Sequence, residues 1–370
     1  MKWTTYPPDV LPLPVAEMDV RLAPAVADAL RTALDLSDTG YAGDTGELVD
    51  AFTGFARRRW GWPVEPAAVR TCADVAVGVT EVLRLVSTPG DAVVIMPPVY
   101  PPFWRWLEWV GTRPVEVPLL DPDGGGRLDL AGIERAMSDG ARVVLLCSPH
   151  NPTGRVHDPD ELRALAELAS RYGALVLADE IHAPLTLPGE RFSPYLGVSE
   201  QAAATGIAFH SASKAWNLAG LKCALVLAVR PEPAAMIAGW APEHAWGAGH
   251  LGVLAATAAY RDGEPWLDDL LAALRDNMTL LGDLLDYDLP EVGFTVPQAG
   301  FLAWLDCRAL RLGDDPSVTY LERGRVALSP GPDFGAIGRG HARLNVACHP
   351  DVLREAVGRM AAVPMTNRPA

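Results

Sequence analysis

Cysteine is scarce in this 370-residue chain, and the few present are scattered: Cys72, Cys147, Cys223, Cys307 and Cys348. An odd number with no Cys-x-x-Cys spacing excludes a disulfide framework and offers no zinc motif, so reduced thiols and no metal are expected. Basic charge is short as well: 31 Lys and Arg stand against 46 Asp and Glu, a formal net charge of −15. Such a surface repels phosphate backbones and anionic headgroups, which argues against nucleic acid and membrane as partners. Long apolar runs are missing too. The most apolar stretch, 245–260, carries His250 and several glycines and falls short of the roughly 20 residues a membrane span needs. The opening residues MKWTTYPPDVLPLP lack a basic start followed by an apolar run, so no signal peptide is read there and a cytoplasmic location is expected.

What is present suits a globular protein with a sizeable core: 49% of residues are apolar and 21% charged. The length allows one large domain and a smaller one. No internal repeat is visible, and Gly124-Gly125-Gly126 reads as a loop tip. Short, non-alternating apolar runs recur at 92–96, 143–147, 175–178, 207–209 and 224–229, as expected of strands buried on both faces of a mostly parallel sheet. Longer amphipathic pieces separate them. Over 158–173, Asp158 predicts an N-cap, Pro159 the first helical position and Glu161 a capping-box acid, while Gly173 predicts the stop. A helix is predicted at 77–85 and another from Pro265 past Leu281; strand-like pieces follow at 301–305 and 343–346. The expected class is α/β, with a boundary near 265.

Ligands of such sheets bind beyond the carboxyl ends of the strands. Four polar signatures fall there: Pro97-Pro98-Val99-Tyr100, Ser148-Pro149-His150-Asn151-Pro152-Thr153-Gly154, Asp179-Glu180-Ile181-His182, and Ser211-Ala212-Ser213-Lys214 with Asn217 and Lys222 beyond it. Each alone has a plainer reading as a turn, a cap or a solvated loop. Their common placement at strand ends, in one order along the chain, points to a single site. His244 and His250 lack metal-ligand spacing, Cys147 and Cys348 read as core thiols, and Trp104, Trp106 and Trp109 read as packing before a substrate entrance or a dimer surface.

Together with Pro14-Val15-Ala16-Glu17-Met18-Asp19, Ser213-to-Leu221 and Arg343-Leu344-Asn345-Val346-Ala347-Cys348, these runs resemble the aminotransferase fold, fold type I of the pyridoxal 5′-phosphate enzymes. Within it the match is to the cystathionine β-lyase-like carbon–sulfur lyases, and it covers nearly the whole chain. The resemblance implies a large cofactor-binding domain at 39–264, with a mostly parallel sheet of seven-stranded type covered by helices. It also implies a smaller α/β domain formed by an N-terminal arm at 1–38 and the C-terminal part at 265–370.

By the same resemblance, Lys214 forms a Schiff base with pyridoxal 5′-phosphate and shuttles the substrate's α-proton, while Asp179 keeps the pyridine nitrogen protonated. Asn151 donates to the ring's phenolic oxygen and Tyr100 stacks on the ring. Ser211, Lys222 and the Val75 and Ala76 amides meet the phosphate, a helix N-terminus favouring an anion. Lys222 stands where many relatives carry arginine, supplying the charge without the bidentate fork. His182 is expected at the cofactor as a partner of Asp179, and Arg343 as the clamp on the substrate α-carboxylate. Tyr41 matches a tyrosine that reaches the phosphate of the neighbouring subunit, which implies a homodimer with shared sites. One departure is Pro14, where the family usually has tryptophan; it bears on substrate preference. The substrate implied is a small amino acid, cystathionine or an S-substituted cysteine, cleaved to pyruvate, ammonia and a thiol. Transamination shares the first proton abstraction and stays open, as does a PLP-binding sensor without turnover.

Overall fold

The computed structural model describes residues 2–240, 244 and 246–363. Its centre is a seven-stranded sheet in the spatial order Val69–Cys72, Ala224–Leu227, Gly206–His210, Leu175–Asp179, Val143–Cys147, Ala92–Ile95 and Arg113–Glu116. Every strand runs the same way except Ala224–Leu227, which is antiparallel to both neighbours. The apolar runs are continuous because both faces are covered. Val144, Leu146, Val176, Ala178 and Ala208 enter one core, while Val143, Leu145, Leu177, Ile207 and Phe209 enter the other. Alternate side chains thus find apolar partners on opposite faces, and the buried polar residues Asp179 and His210 come only at the strands' carboxyl ends.

Helix boundaries follow their capping chemistry. Pro159–Tyr172 begins after Asp158, whose carboxylate accepts the Asp160 amide, and ends at Gly173 with φ +62°. Glu161 does not reach back in a capping box: its carboxylate accepts the Leu128 amide at 2.7 Å and faces Arg155 at 3.4 Å. A tertiary partner that held the carboxylate in place won over the local one. The helix expected at 77–85 spans Val75–Val86, because Asp74 caps it from two residues earlier. The expected Pro265 helix spans Glu264–Asp288.

A second sheet orders Ser329–Pro330, His341–Asn345, Leu302–Asp306 and Gly293–Phe294, all antiparallel. Near the N-terminus, Leu11–Pro12 pairs with Val326–Ala327. Asp123, in a loop beyond the large sheet's edge, meets Arg308 at 2.5 Å and His341 at 2.9 Å and so ties the two sheets together. Among the described residues no helix is long and apolar enough to cross a membrane; Ala245, which opens the most apolar stretch, lies outside them.

Candidate active site

Asp179 and Cys147 are register partners at the carboxyl ends of adjacent strands, and Phe209 pairs with Asp179 on the other side. The turns that follow these three strands therefore open onto one place. Between them and the four-stranded sheet lies a cavity of about 520 Å³. Its wall includes Val75, Ala76, Tyr100, Asn151, Asp179, His182, Ser211, Lys214, Lys222 and Arg343. Of the cofactor- and substrate-binding residues expected from the sequence, Tyr41 alone is not brought in; it is 97% exposed.

Lys214 projects from the turn after Gly206–His210, its Nζ donating to the Ala16 carbonyl at 3.2 Å. Burial, and then the Arg343 guanidinium, hold this amine below its usual range. Asp179 is buried, accepts the Ile181 amide at 3.2 Å and has its carboxyl pushed up to about 7 by burial, against the lowering effects of that amide and of Lys214. An acid poised between its two states is what a site needs where a cationic group is to settle against it.

Arg343 comes from the middle of His341–Asn345 and is buried. Its Nη1 donates to Asn151 Oδ1 at 3.0 Å; its Nη2 donates to the Pro14 carbonyl at 2.8 Å and to Ser329 Oγ at 3.0 Å. No carboxylate pairs with it among the described residues, and its Nε is buried without a hydrogen-bond partner. Burial lowers its pKa to about 10. A buried guanidinium without an acid is costly, by several kcal/mol. Such an arrangement is suited to an anion supplied from outside. Because Asn151 Oδ1 faces a donor, its Nδ2 is left to donate elsewhere.

The opposite end of the cavity suits a second anion. With Val77's amide taken by Asp74 Oδ1 at 2.8 Å and Gly78's by the Asp74 carbonyl at 3.0 Å, Val75 and Ala76 are the first-turn amides left over. Lys222, in a left-handed conformation with φ 58°, pairs with Asp74 at 2.8 Å. Ser211 Oγ donates to the Cys223 carbonyl at 2.7 Å.

His182 does not bond Asp179, whose acceptor role goes to Ile181. Its ring packs against Phe301 at 6.5 Å, and burial, Lys214 and Arg343 lower it to about pKa 3. Tyr100 contacts Phe103 and Trp106 edge-on at 6.0 and 5.9 Å. The tryptophans divide: Trp106 lines the cavity, Trp104 donates to Glu116 at 2.9 Å, and Trp109 lies exposed over Arg84.

Thr5, Tyr6, Trp106, Asp74 and Ser329 line the cavity without having been singled out as site residues. The N-terminal arm brings two of them. Asn345 Nδ2 donates to the Val15 and Glu17 carbonyls at 2.7 Å each, and Asn217 both gives to and takes from the Met18 backbone. Gly154 closes the Asn151 turn at φ +68°, where an added Cβ would meet the Ala299 carbonyl at 2.8 Å.

This cavity, with its guanidinium that has no acid partner and its desolvated amine, marks an α/β enzyme that handles small anionic molecules. The family model described as Aminotransferase class I and II matches residues 8–360, and the chain belongs to that family. A Mycobacterium tuberculosis protein provisionally named as a cystathionine β-lyase is 47% identical over 387 aligned positions, covering 98% of this chain and 93% of its own. The Cystathionine beta-lyase of Corynebacterium glutamicum is 36% identical over 374 positions, covering 98% and 96%. Among solved structures, cystalysin from Treponema denticola, which contains a pyridoxal 5′-phosphate cofactor, matches with TM-score 0.92 at 27% identity over 97% of this chain and 92% of that one.

Proposed function

We propose that this chain is a pyridoxal 5′-phosphate-dependent carbon–sulfur β-lyase acting on cystathionine or an S-substituted cysteine. The observation that carries the reading is the convergence of Lys214, Asp179 and an acid-free Arg343 on one cavity. The names borne by its relatives favour this chemistry over others of the family.

The cavity fits the cofactor. The unclaimed first-turn amides at Val75 and Ala76, with Ser211 and Lys222, suit a phosphate. Asp179 suits a ring nitrogen that carries a proton, Asn151 Nδ2 the phenolic oxygen, and Tyr100 the ring face. Bound there, pyridoxal 5′-phosphate supplies an aldehyde and an electron-withdrawing ring.

The chain's own residues do the rest. Arg343 binds the substrate α-carboxylate and orients the Cα–H bond, already steadied by Asn151 and Ser329. The Lys214 amine, kept below its usual range by burial, takes the α-proton at Nζ, and the thiolate leaves from Cβ. Val15 and Ala16, in the arm held by Asn217 and Asn345, help wall the cavity from water. We further read Tyr41, exposed together with Leu34 and Leu36, as completing the phosphate site of a second copy in a homodimer.

The purified protein, incubated with cystathionine or S-substituted cysteine, should release pyruvate without an added oxo acid. Turnover only when an oxo acid is present would assign it to the transaminases instead, and no turnover at all would leave a binding protein. Arg343→Lys should raise KM by roughly 10- to 150-fold, the ~1.5–3 kcal/mol of charge-assisted hydrogen bonds lost. An unchanged KM would remove Arg343 from the substrate site.

A further inference from the structure

We propose that His150 is a positioning residue: its imidazole locks the Tyr100 segment to the Asn151 turn, so that the two side chains keep one spacing across the cavity. This rests on the roles given above to Tyr100 and Asn151. His150 is buried, and its Nε2 lies 2.8 Å from the Pro98 carbonyl, 52 residues away in the chain. Pro98 stands two residues before Tyr100, and His150 directly precedes Asn151. Among the described residues no other hydrogen bond joins residues 97–103 to residues 148–154.

Both ends of this link are stiff. The main chain of His150 closes the base of its turn, its amide donating to the Arg155 carbonyl at 2.8 Å and its own carbonyl accepting the Gly154 amide at 2.7 Å. On the other side, the Val99 amide donates to the Phe334 carbonyl at 3.1 Å. A shift at Pro98 therefore moves Tyr100 against Asn151, and through Asn151 against Arg343 at 3.0 Å.

The hydrogen-bonding chemistry fixes the imidazole's form. A carbonyl only accepts, so Nε2 bears the proton. Nδ1 is buried with no hydrogen-bond partner, and His157 stands edge-on at 5.8 Å, with Glu161 and Arg155 beyond it. Burial, and then His157, outweigh the Pro98 and Cys147 carbonyls and Glu161 and lower the pKa to about 3. His150 thus works as a neutral, pH-independent strut.

Three substitutions test this. His150→Leu fills similar space without a donor and leaves the Pro98 carbonyl unsatisfied. It should lower kcat about 10- to 100-fold, the effect of a misplacement near 1 Å, with KM less changed and the visible circular dichroism of bound pyridoxal 5′-phosphate weakened. The loss should be the same at pH 6.5 and 8.5. His150→Gln can still reach the carbonyl and should recover kcat and the visible signal to within a few-fold. His150→Asn, one methylene shorter, should not. Wild-type kcat and signal in His150→Leu overturn the proposal, as do Gln and Asn variants that behave alike; should the Leu variant fail to fold, the Gln–Asn pair decides. A wild-type protein that binds no pyridoxal 5′-phosphate sinks the functional reading itself, and is separable because it is seen before any variant is made.

Discussion

Lys214→Ala is expected to give a folded protein that no longer shows the yellow colour of a lysine-linked cofactor and turns over at least on the order of 10³ more slowly. Folding should survive. The Lys214 amine makes one hydrogen bond, to the Ala16 carbonyl, and burial penalises its charge, so removal relieves a desolvated cation. The melting temperature should stay level or rise slightly. Chemistry should not survive, because no other amine stands where Lys214 does. Lys222 is the control, since it also lines the cavity but is held by Asp74 at 2.8 Å. Lys222→Ala should keep the colour while weakening cofactor affinity. If the colour persists in Lys214→Ala and vanishes in Lys222→Ala, the roles of the two lysines are reversed. Persistence of colour and turnover in both removes the cavity from the reaction.

Much of this site is legible in the sequence because the sheet does the assembling. Once strands at 143–147, 175–178 and 207–209 are read, parallel pairing forces the turns after them to one edge, so Asn151, Asp179 and Lys214 must meet. The runs' continuity was itself a burial statement, later seen as side chains alternating into two cores. What stayed illegible depends on long-range partners that leave no local trace. Glu161 matched a capping-box pattern, yet its carboxylate was claimed by the Leu128 amide 33 residues away. Arg343 could be picked out as a guanidinium beside a matching Asn345. Its grip on the Pro14 carbonyl, 329 residues distant, could not, because a backbone acceptor has no residue type. The same holds for Thr5 and Tyr6, carried to the cavity by an arm that Asn217 and Asn345 fasten through main-chain atoms alone. His182, expected beside Asp179 by resemblance, lines the cavity, but the Asp179 carboxylate takes the Ile181 amide rather than the imidazole.

Asp179→Asn is expected to lower kcat/KM on the order of 10²–10³, the loss met when a buried group facing developing charge is removed. KM should change little, because the carboxylate-binding residue is Arg343. The pH response carries a further signature. Burial lifts the Asp179 carboxyl in the cofactor-free fold to about 7, whereas the unfolded chain holds it near 3.9. A raised folded value means stability that is fully present below the unfolded pKa and lost as pH climbs through the folded one. The cofactor-free protein should therefore lose stability between about pH 4 and pH 7 from this group, since the ionised form is the penalised one. A cation settled against the carboxylate reverses that penalty, so pyridoxal 5′-phosphate should raise the melting temperature more at pH 8 than at pH 5.5. In Asp179→Asn, which cannot ionise, that difference should shrink, and the cofactor-free variant should be the more stable of the two chains at pH 8. Thermal melts of both proteins, with and without cofactor at the two pH values, check this directly. Equal pH responses in wild type and variant would mean that the Asp179 carboxylate never faces the cofactor's charge.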